Sequence, residues 1–206
     1  RMLGGSYGKR VVVIAGKGNN GEDGRVAARR LAERGVQVTV LDAAALPAQV
    51  PACDLVIDAA YGIGFRGTWD APDVGSTPVL AVDIPSGVNA LTGECGSGVL
   101  PADHTVTFAA LKPGLLFPPG STYTGTLELV DVGVDASATS VHLVQHADVS
   151  DWVAPRSADA HKWRSALWVI AGSGGMFGAA RLAAGAAQRT GAGMVYLTTP
   201  GSGVDP

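Results

Sequence analysis

The side chains able to do chemistry in this sequence cluster in a few short segments, several of them directly behind an apolar run. Gly16-Lys17-Gly18-Asn19-Asn20-Gly21-Glu22-Asp23-Gly24 follows Val11-Val12-Val13-Ile14 and offers open backbone, side-chain amides and carboxylates. Its first part matches G-x-G-x-x-G, a pattern in which glycines let backbone N–H groups approach a nucleotide phosphate at a helix start. Asp58 closes another apolar run and opens Ala59-Ala60-Tyr61-Gly62-Ile63-Gly64-Phe65-Arg66-Gly67-Thr68, a carboxylate followed by a glycine-rich loop. Asp83-Ile84-Pro85-Ser86-Gly87 places a carboxylate and a hydroxyl around a rigid turn. Leu111-Lys112-Pro113-Gly114 adds an amine.

These groups can act together only if the intervening elements gather them. Val11–Ile14, Val36–Leu41, Leu55–Ile57, Val79–Val82, His104–Phe108 and Thr126–Val130 read as strands. Most are apolar throughout, as strands buried on both faces are. The last alternates apolar and polar residues and belongs nearer an edge. Val26, Ala27, Leu31 and Ala32 recur at helical spacing before the stop at Gly35, which makes a βαβ unit with the strands on either side. Helix-length gaps between apolar strands predict an α/β fold, a Rossmann-like three-layer domain with a mostly parallel sheet. Ligands of such sheets bind beyond the carboxyl ends of the strands, which is where the first loop, Asp58 and Asp83 fall.

Residues 133–160 are short polar and alanine-rich stretches that read as connecting chain. Residues 1–147 are taken as the first domain, 148–160 as the linker and 161–206 as a second, incomplete one. There Ala166–Ala171 and Met194–Thr198 predict strands around a glycine loop and a helix, Ala179–Arg189. Trp152, Trp163 and Trp168 are expected to pack the domain junction. Both ends of the chain read as cuts.

Composition excludes several classes. With 47% hydrophobic and 16% charged residues, the chain can bury a core. A net charge of -3 and scattered basic residues argue against nucleic acid. No apolar stretch is long enough for a membrane span, and no signal peptide is read at the start. Cys53 and Cys95 lie far apart, and His104, His142 and His146 have no metal spacing, so a reduced, cytoplasmic setting is expected.

Taken singly, each segment has a structural explanation. Asn-Gly favours turns, Asp23 suits a helix N-cap worth ~1 kcal/mol, Asp58 and Asp83 suit caps, and Lys112 suits a solvated surface. The first loop, with Asp42 at the end of the second strand, also suits an NAD-dependent Rossmann oxidoreductase. Against that reading stand the polar Asn19-Asn20 and Arg25, where close helix packing favours a small residue. A non-catalytic nucleotide-binding or interaction module is the remaining alternative.

The segments GKGNNGEDG, DAAYGIGFRG and VDIPSG, in this order and spacing, resemble the NAD(P)H-hydrate epimerases across roughly residues 9–135. Residues 161–200, with His161-Lys162-Trp163-Arg164, AGSGGMFGAARLAAGAA and TGAGMVYL, resemble the start of the ADP- or ATP-dependent NAD(P)H-hydrate dehydratases, which have a ribokinase-like fold. The resemblance implies epimerisation of hydrated NADH and NADPH, a small-molecule substrate. It implies substrate contacts at Asn19, Asn20, Gly21, Glu22 and Asp23, at the loop Gly62, Ile63, Gly64, Phe65, Arg66, Gly67 and Thr68, and at Asp83. It implies a potassium ion held by Asn20, Asp58 and Ser86, whose oxygens suit a hard cation.

Asp83 is the expected catalytic carboxylate, with Asp103 and Lys112 as further acid–base candidates. Glu22 stands where the family usually has glycine and is expected to bring negative charge beside a phosphate-bearing ligand. A homodimer is allowed for, although the helical segment usual before the first strand is missing. ADP or ATP would be needed only by a complete second domain, and no dehydration is expected from this chain.

Overall fold

The structure is a computed structural model and describes residues 2–65, 67–153, 155 and 157–201. It divides into two compact units, Arg1–Ser140 and Val141–Pro206. The division falls earlier than the expected end at residue 147, and the start of the expected linker is helical.

In the first unit the apolar runs become strands: β1 (Arg10–Ala15), β2 (Gln37–Asp42), β3 (Leu55–Ala59), β4 (Val79–Val82), β5 (His104–Phe108) and β6 (Thr126–Val130). They form one sheet in the order β2-β1-β3-β4-β5-β6, with every neighbouring pair parallel. The alternating strand β6 is at an edge, as expected.

Side chains of a strand alternate between faces, so the apolar run of β1 feeds two cores. Val11, Val13 and Ala15 join Leu55, Ile57 and Ala59 beneath α1 (Asn19–Glu33), whose Ala28 reaches the same cluster. Val12 and Ile14 join Val56, Ala81, Trp69 and Leu100 on the other face. That second face is covered largely by loops. The long connections after β2, β3 and β4 contain no helix among the described residues. Pro47, Pro51, Pro72, Pro78, Pro85 and Pro101 and a high glycine content interrupt these stretches and make helix there costly. After β5 come a single turn of helix, α2 (Pro113–Leu116), and a 3₁₀ turn at Gly120–Tyr123.

The packing glycine of α1 is not where the pattern placed it. A Cβ on Gly24 would collide with the Ala59 Cβ. The close approach of helix to sheet is therefore made at Gly24, which leaves Arg25 free to be large.

The second unit holds α3 (His146–Trp152), a 3₁₀ turn at Lys162–Ser165, β7 (Ala166–Ile170), α4 (Gly178–Arg189) and β8 (Met194–Thr198). β7 and β8 pair in parallel around α4, the expected βαβ arrangement. Trp163 and Trp168 lie beside Tyr196, with ring centroids 6.4 and 6.3 Å away. Trp152, Trp163 and Trp168 all remain more than half exposed, at 63, 57 and 64%.

Candidate active site

A strand order of 2-1-3 puts a topological switch point between β1 and β3, where neighbouring connections leave in opposite directions and open a crevice. The chain leaves β1 through Gly16 and Gly18. A Cβ on Gly16 would strike the Ala60 carbonyl oxygen, and one on Gly21 would strike that of Gly16. Only glycine lets the first loop lie this close to the end of β3.

No side chain caps α1. Gly18 is the extended N-cap residue, and the first helical bond runs from Glu22 N–H to Gly18 O at 3.1 Å. The N–H groups of Asn19, Asn20 and Gly21 have no partner within the helix, which makes its positive end available to an anion. Asp23, read as a possible cap, is already inside the helix.

A cavity of about 1010 Å³ opens here. Lys17, Gly18, Asn19, Asn20 and Asp23 line one side, and Ala60–Phe65 another. Asp83, Phe108, Ala109 and Lys112 come from the ends of β4 and β5, and Val132 and Val134 from beyond β6. Phe65 lies against Tyr61 with ring centroids 4.3 Å apart and planes tilted by 32°, and Tyr61 meets the buried Trp69 edge-on at 5.9 Å, which anchors the glycine loop.

Asn20 and Asp83 both come close to Gly62. A Cβ on Gly62 would lie 3.4 Å from Asn20 Cγ and 3.7 Å from Asp83 Oδ2. Both polar atoms of the Asn20 amide are buried and have no hydrogen-bond partner among the described residues. Buried polar atoms are rarely left so.

Asp83 is held by its neighbours. Lys112 Nζ donates to Asp83 Oδ1 at 2.6 Å, to Thr107 Oγ1 at 2.8 Å and to the Phe108 carbonyl oxygen at 2.9 Å. Thr107 Oγ1 donates to Asp83 Oδ1 at 3.3 Å. Asp83 has a φ of 69° and Ala109 one of 62°, a region that non-glycine residues seldom occupy and that tends to mark functional sites.

Asp58 and Ser86 do not line the cavity but brace its wall. Ser86 Oγ donates to Asp58 Oδ1 at 2.6 Å, Ser86 N–H to Asp58 Oδ2 at 2.8 Å and Ala60 N–H to Asp58 Oδ1 at 3.2 Å. Tyr61 N–H donates to Ser86 Oγ at 2.9 Å. Burial pushes the Asp58 carboxyl above its ordinary value, against the opposing pull of the hydrogen bonds from Ser86 and Ala60.

Of the expected site residues, Asn19, Asn20, Asp23, Gly62, Ile63, Gly64, Phe65, Asp83 and Lys112 meet at the cavity. Gly21 is buried in helix packing, and Gly67 and Thr68 are exposed and do not line it. Arg66 lies outside the described residues. Two expectations are corrected. Glu22 points away along α1 toward Arg29 at 3.4 Å and Arg25 at 3.9 Å, so it does not crowd a ligand. Asp103 precedes β5 and therefore lies at the opposite edge of a parallel sheet, where Val79 N–H donates to its Oδ2 at 2.8 Å. It is no acid–base candidate for this cavity.

Thr107, Val132 and Val134 escaped sequence reasoning. Thr107 looked like one more strand residue, and the valines follow an edge strand with no motif to mark them.

The model of the family described as YjeF-related protein N-terminus matches residues 1–51 and 42–114. The bifunctional NAD(P)H-hydrate repair enzyme Nnr of Escherichia coli is 34% identical over 95% of this chain and 45% of its own length. The enzyme of the same name from Hyperthermus butylicus is 39% identical over 94% of this chain and 43% of its own. The chain thus spans about half the length of the curated relatives it matches. The crystal structure of yeast ynu0 is 18% identical and aligns over 75% of each chain with a TM-score of 0.43.

Proposed function

Because the chain belongs to the family of YjeF-related protein N-termini, we propose that its first unit interconverts the R and S epimers of hydrated NADH and NADPH. The observation that carries this reading is the position of Asp83. One carboxylate oxygen is tied to Lys112, while the other faces Gly62 at the cavity between the α1 N-terminus and the glycine loop. The free N–H groups of α1 and the backbone N–H groups of Gly62, Ile63 and Gly64 suit phosphates. The wall of Phe108, Val132 and Val134 suits an apolar ring face.

Epimerisation inverts the ring carbon that bears the added hydroxyl. Loss of that hydroxyl as water, assisted by the lone pair of the ring nitrogen, leaves a cation. A proton taken from solvent onto Asp83 Oδ2 would pass to the departing hydroxyl; the carboxylate left behind would stabilise the cation, take a proton from the water adding to the other face, and return it to solvent. Ring opening would instead need the hydroxyl proton moved to the ring nitrogen, a transfer that Asp83 would carry.

Potassium belongs to the same proposal. Asn20, Asp58 and Ser86 offer an amide oxygen, a carboxylate and a hydroxyl, the donor types a hard cation takes. The unpartnered Asn20 Oδ1 is the observation that fits an absent partner. The ion would supply fixed positive charge. Asp58 and Ser86 would hold the end of β3 against the turn after β4, and Asn20 would fix the helix start.

Asp42, the residue an oxidoreductase would use at the ribose, accepts from Ala44 N–H at 2.9 Å and does not line the cavity. The second unit is proposed to be part of a dehydratase half, on the resemblance of residues 161–200 to those enzymes; the relatives matched are named as bifunctional.

The test is to supply each purified epimer separately and follow its conversion by chromatography, in potassium and in sodium buffer. Interconversion without redox change supports the proposal. Nucleotide binding without exchange of epimers overturns it in favour of a binding module.

A further inference from the structure

Lys112 returns to its own strand. The chain leaves β5 at Phe108, turns through Ala109 at positive φ, and brings the ammonium of Lys112 back onto the Phe108 carbonyl and the Thr107 hydroxyl. A lysine ammonium has three protons to give. Here they go to Phe108 O, Thr107 Oγ1 and Asp83 Oδ1. Thr107 is wholly buried, and its hydroxyl accepts from Lys112 while donating its own proton to Asp83 Oδ1. The three side chains close a ring in which both donors meet the same carboxylate oxygen.

A carboxylate turns about its Cβ–Cγ bond with a broad, two-fold preference, so its two oxygens exchange places unless something distinguishes them. Here Oδ1 has two donors. Among the described residues, no group donates a hydrogen bond to Oδ2, the oxygen on the Gly62 side.

We infer that Thr107 is a positioning residue, whose hydroxyl completes this ring and fixes the Asp83 carboxylate so that Oδ2 alone meets the substrate. The inference rests on the epimerase reading of the site. Thr107 touches no substrate and acts through Lys112 and Asp83. Holding a reacting group within a small angle of its working geometry is a recognised share of rate enhancement. Without the hydroxyl, Lys112 has a proton to spare inside a mostly buried site, and Oδ1 keeps one donor instead of two.

The experiment compares Thr107→Val, which keeps shape and strand preference, with Thr107→Ser, which keeps the hydroxyl. Thr107→Val should lower kcat about tenfold to a hundredfold with KM within about twofold, an effect confined to the chemical step. Thr107→Ser should restore kcat to within about threefold of the parent. Independently of activity, exchange of the Lys112 ammonium protons, followed by NMR on the whole chain, should be at least about tenfold faster in Thr107→Val than in the parent and Thr107→Ser.

Parental kcat in Thr107→Val, equal damage in Thr107→Ser, or unchanged ammonium exchange would each overturn the inference. A parent chain without epimerase activity would overturn the functional reading instead. The exchange measurement would still decide whether Thr107 holds the ring.

Discussion

Asp83 and Lys112 follow different strands, yet the lysine Nζ lies 2.6 Å from Asp83 Oδ1, with side-chain exposures of only 17 and 15%. A pair this far out of water is costly to break, because removing one partner strands the other charge. Asp83→Asn keeps the shape and removes the charge. Epimerisation should fall by about 10²–10⁴-fold, the usual range for losing a general acid–base group. Rates measured on both epimers, with circular dichroism to confirm the fold, check this. Full activity in the variant would remove Asp83 from the mechanism.

Glycines 24 and 62 should separate stability from function. Gly24→Ala drives a methyl into the Ala59 Cβ beneath α1 and should destabilise the first unit by about 1–3 kcal/mol, the scale of overpacking. Gly62→Ala meets Asn20 Cβ at 3.2 Å and Cγ at 3.4 Å, so it should displace the Asn20 amide. Urea unfolding should show the large effect in Gly24→Ala, and epimer exchange the selective loss in Gly62→Ala.

Ser86→Ala removes the hydroxyl that donates to Asp58 Oδ1 and accepts from Tyr61 N–H. Leaving buried groups unpaired costs about 1–3 kcal/mol. If potassium binds there, it should raise the melting temperature of the parent more than sodium does, since a ligand of the folded state stabilises it. That difference should shrink in Ser86→Ala. Equal melting temperatures of the parent in the two salts would remove potassium from the proposal.

At the start of β1, Arg10 N–H donates to Asp54 Oδ2 at 2.8 Å and Lys9 Nζ to Oδ1 at 3.3 Å. The hydrogen bond from Arg10 first, then Lys9, holds this carboxyl below its ordinary value. Its contribution to folding is therefore present above the ordinary carboxylate range and lost as pH falls through the lowered value. The stability gap between the parent and Asp54→Asn should be open at neutral pH and narrow as the pH falls below the ordinary carboxylate range in urea titrations.

Much of this molecule is determined by residue order alone. Val11–Ile14 is apolar on both faces and so calls for a central strand, whereas Thr126–Val130 alternates and calls for an edge. The parallel arrangement then sends the loop after β1, Asp58 and Asp83 to one rim. The same logic puts Asp103, which precedes its strand, on the far rim, and the spacing of Glu22 from Arg25 and Arg29 turns that carboxylate outward along α1.

Tertiary structure decided the rest. The helix-length gaps after β2, β3 and β4 became loops. Asp58 and Ser86 became a buried brace instead of cavity lining. The ring of Asp83, Thr107 and Lys112 exists only because β4 and β5 lie side by side and the chain turns at positive φ at Asp83 and Ala109. Periodicity is a property of neighbours along the chain and can be read from it. Which oxygen a given donor meets depends on strand register and turn geometry, which form only when the whole sheet assembles.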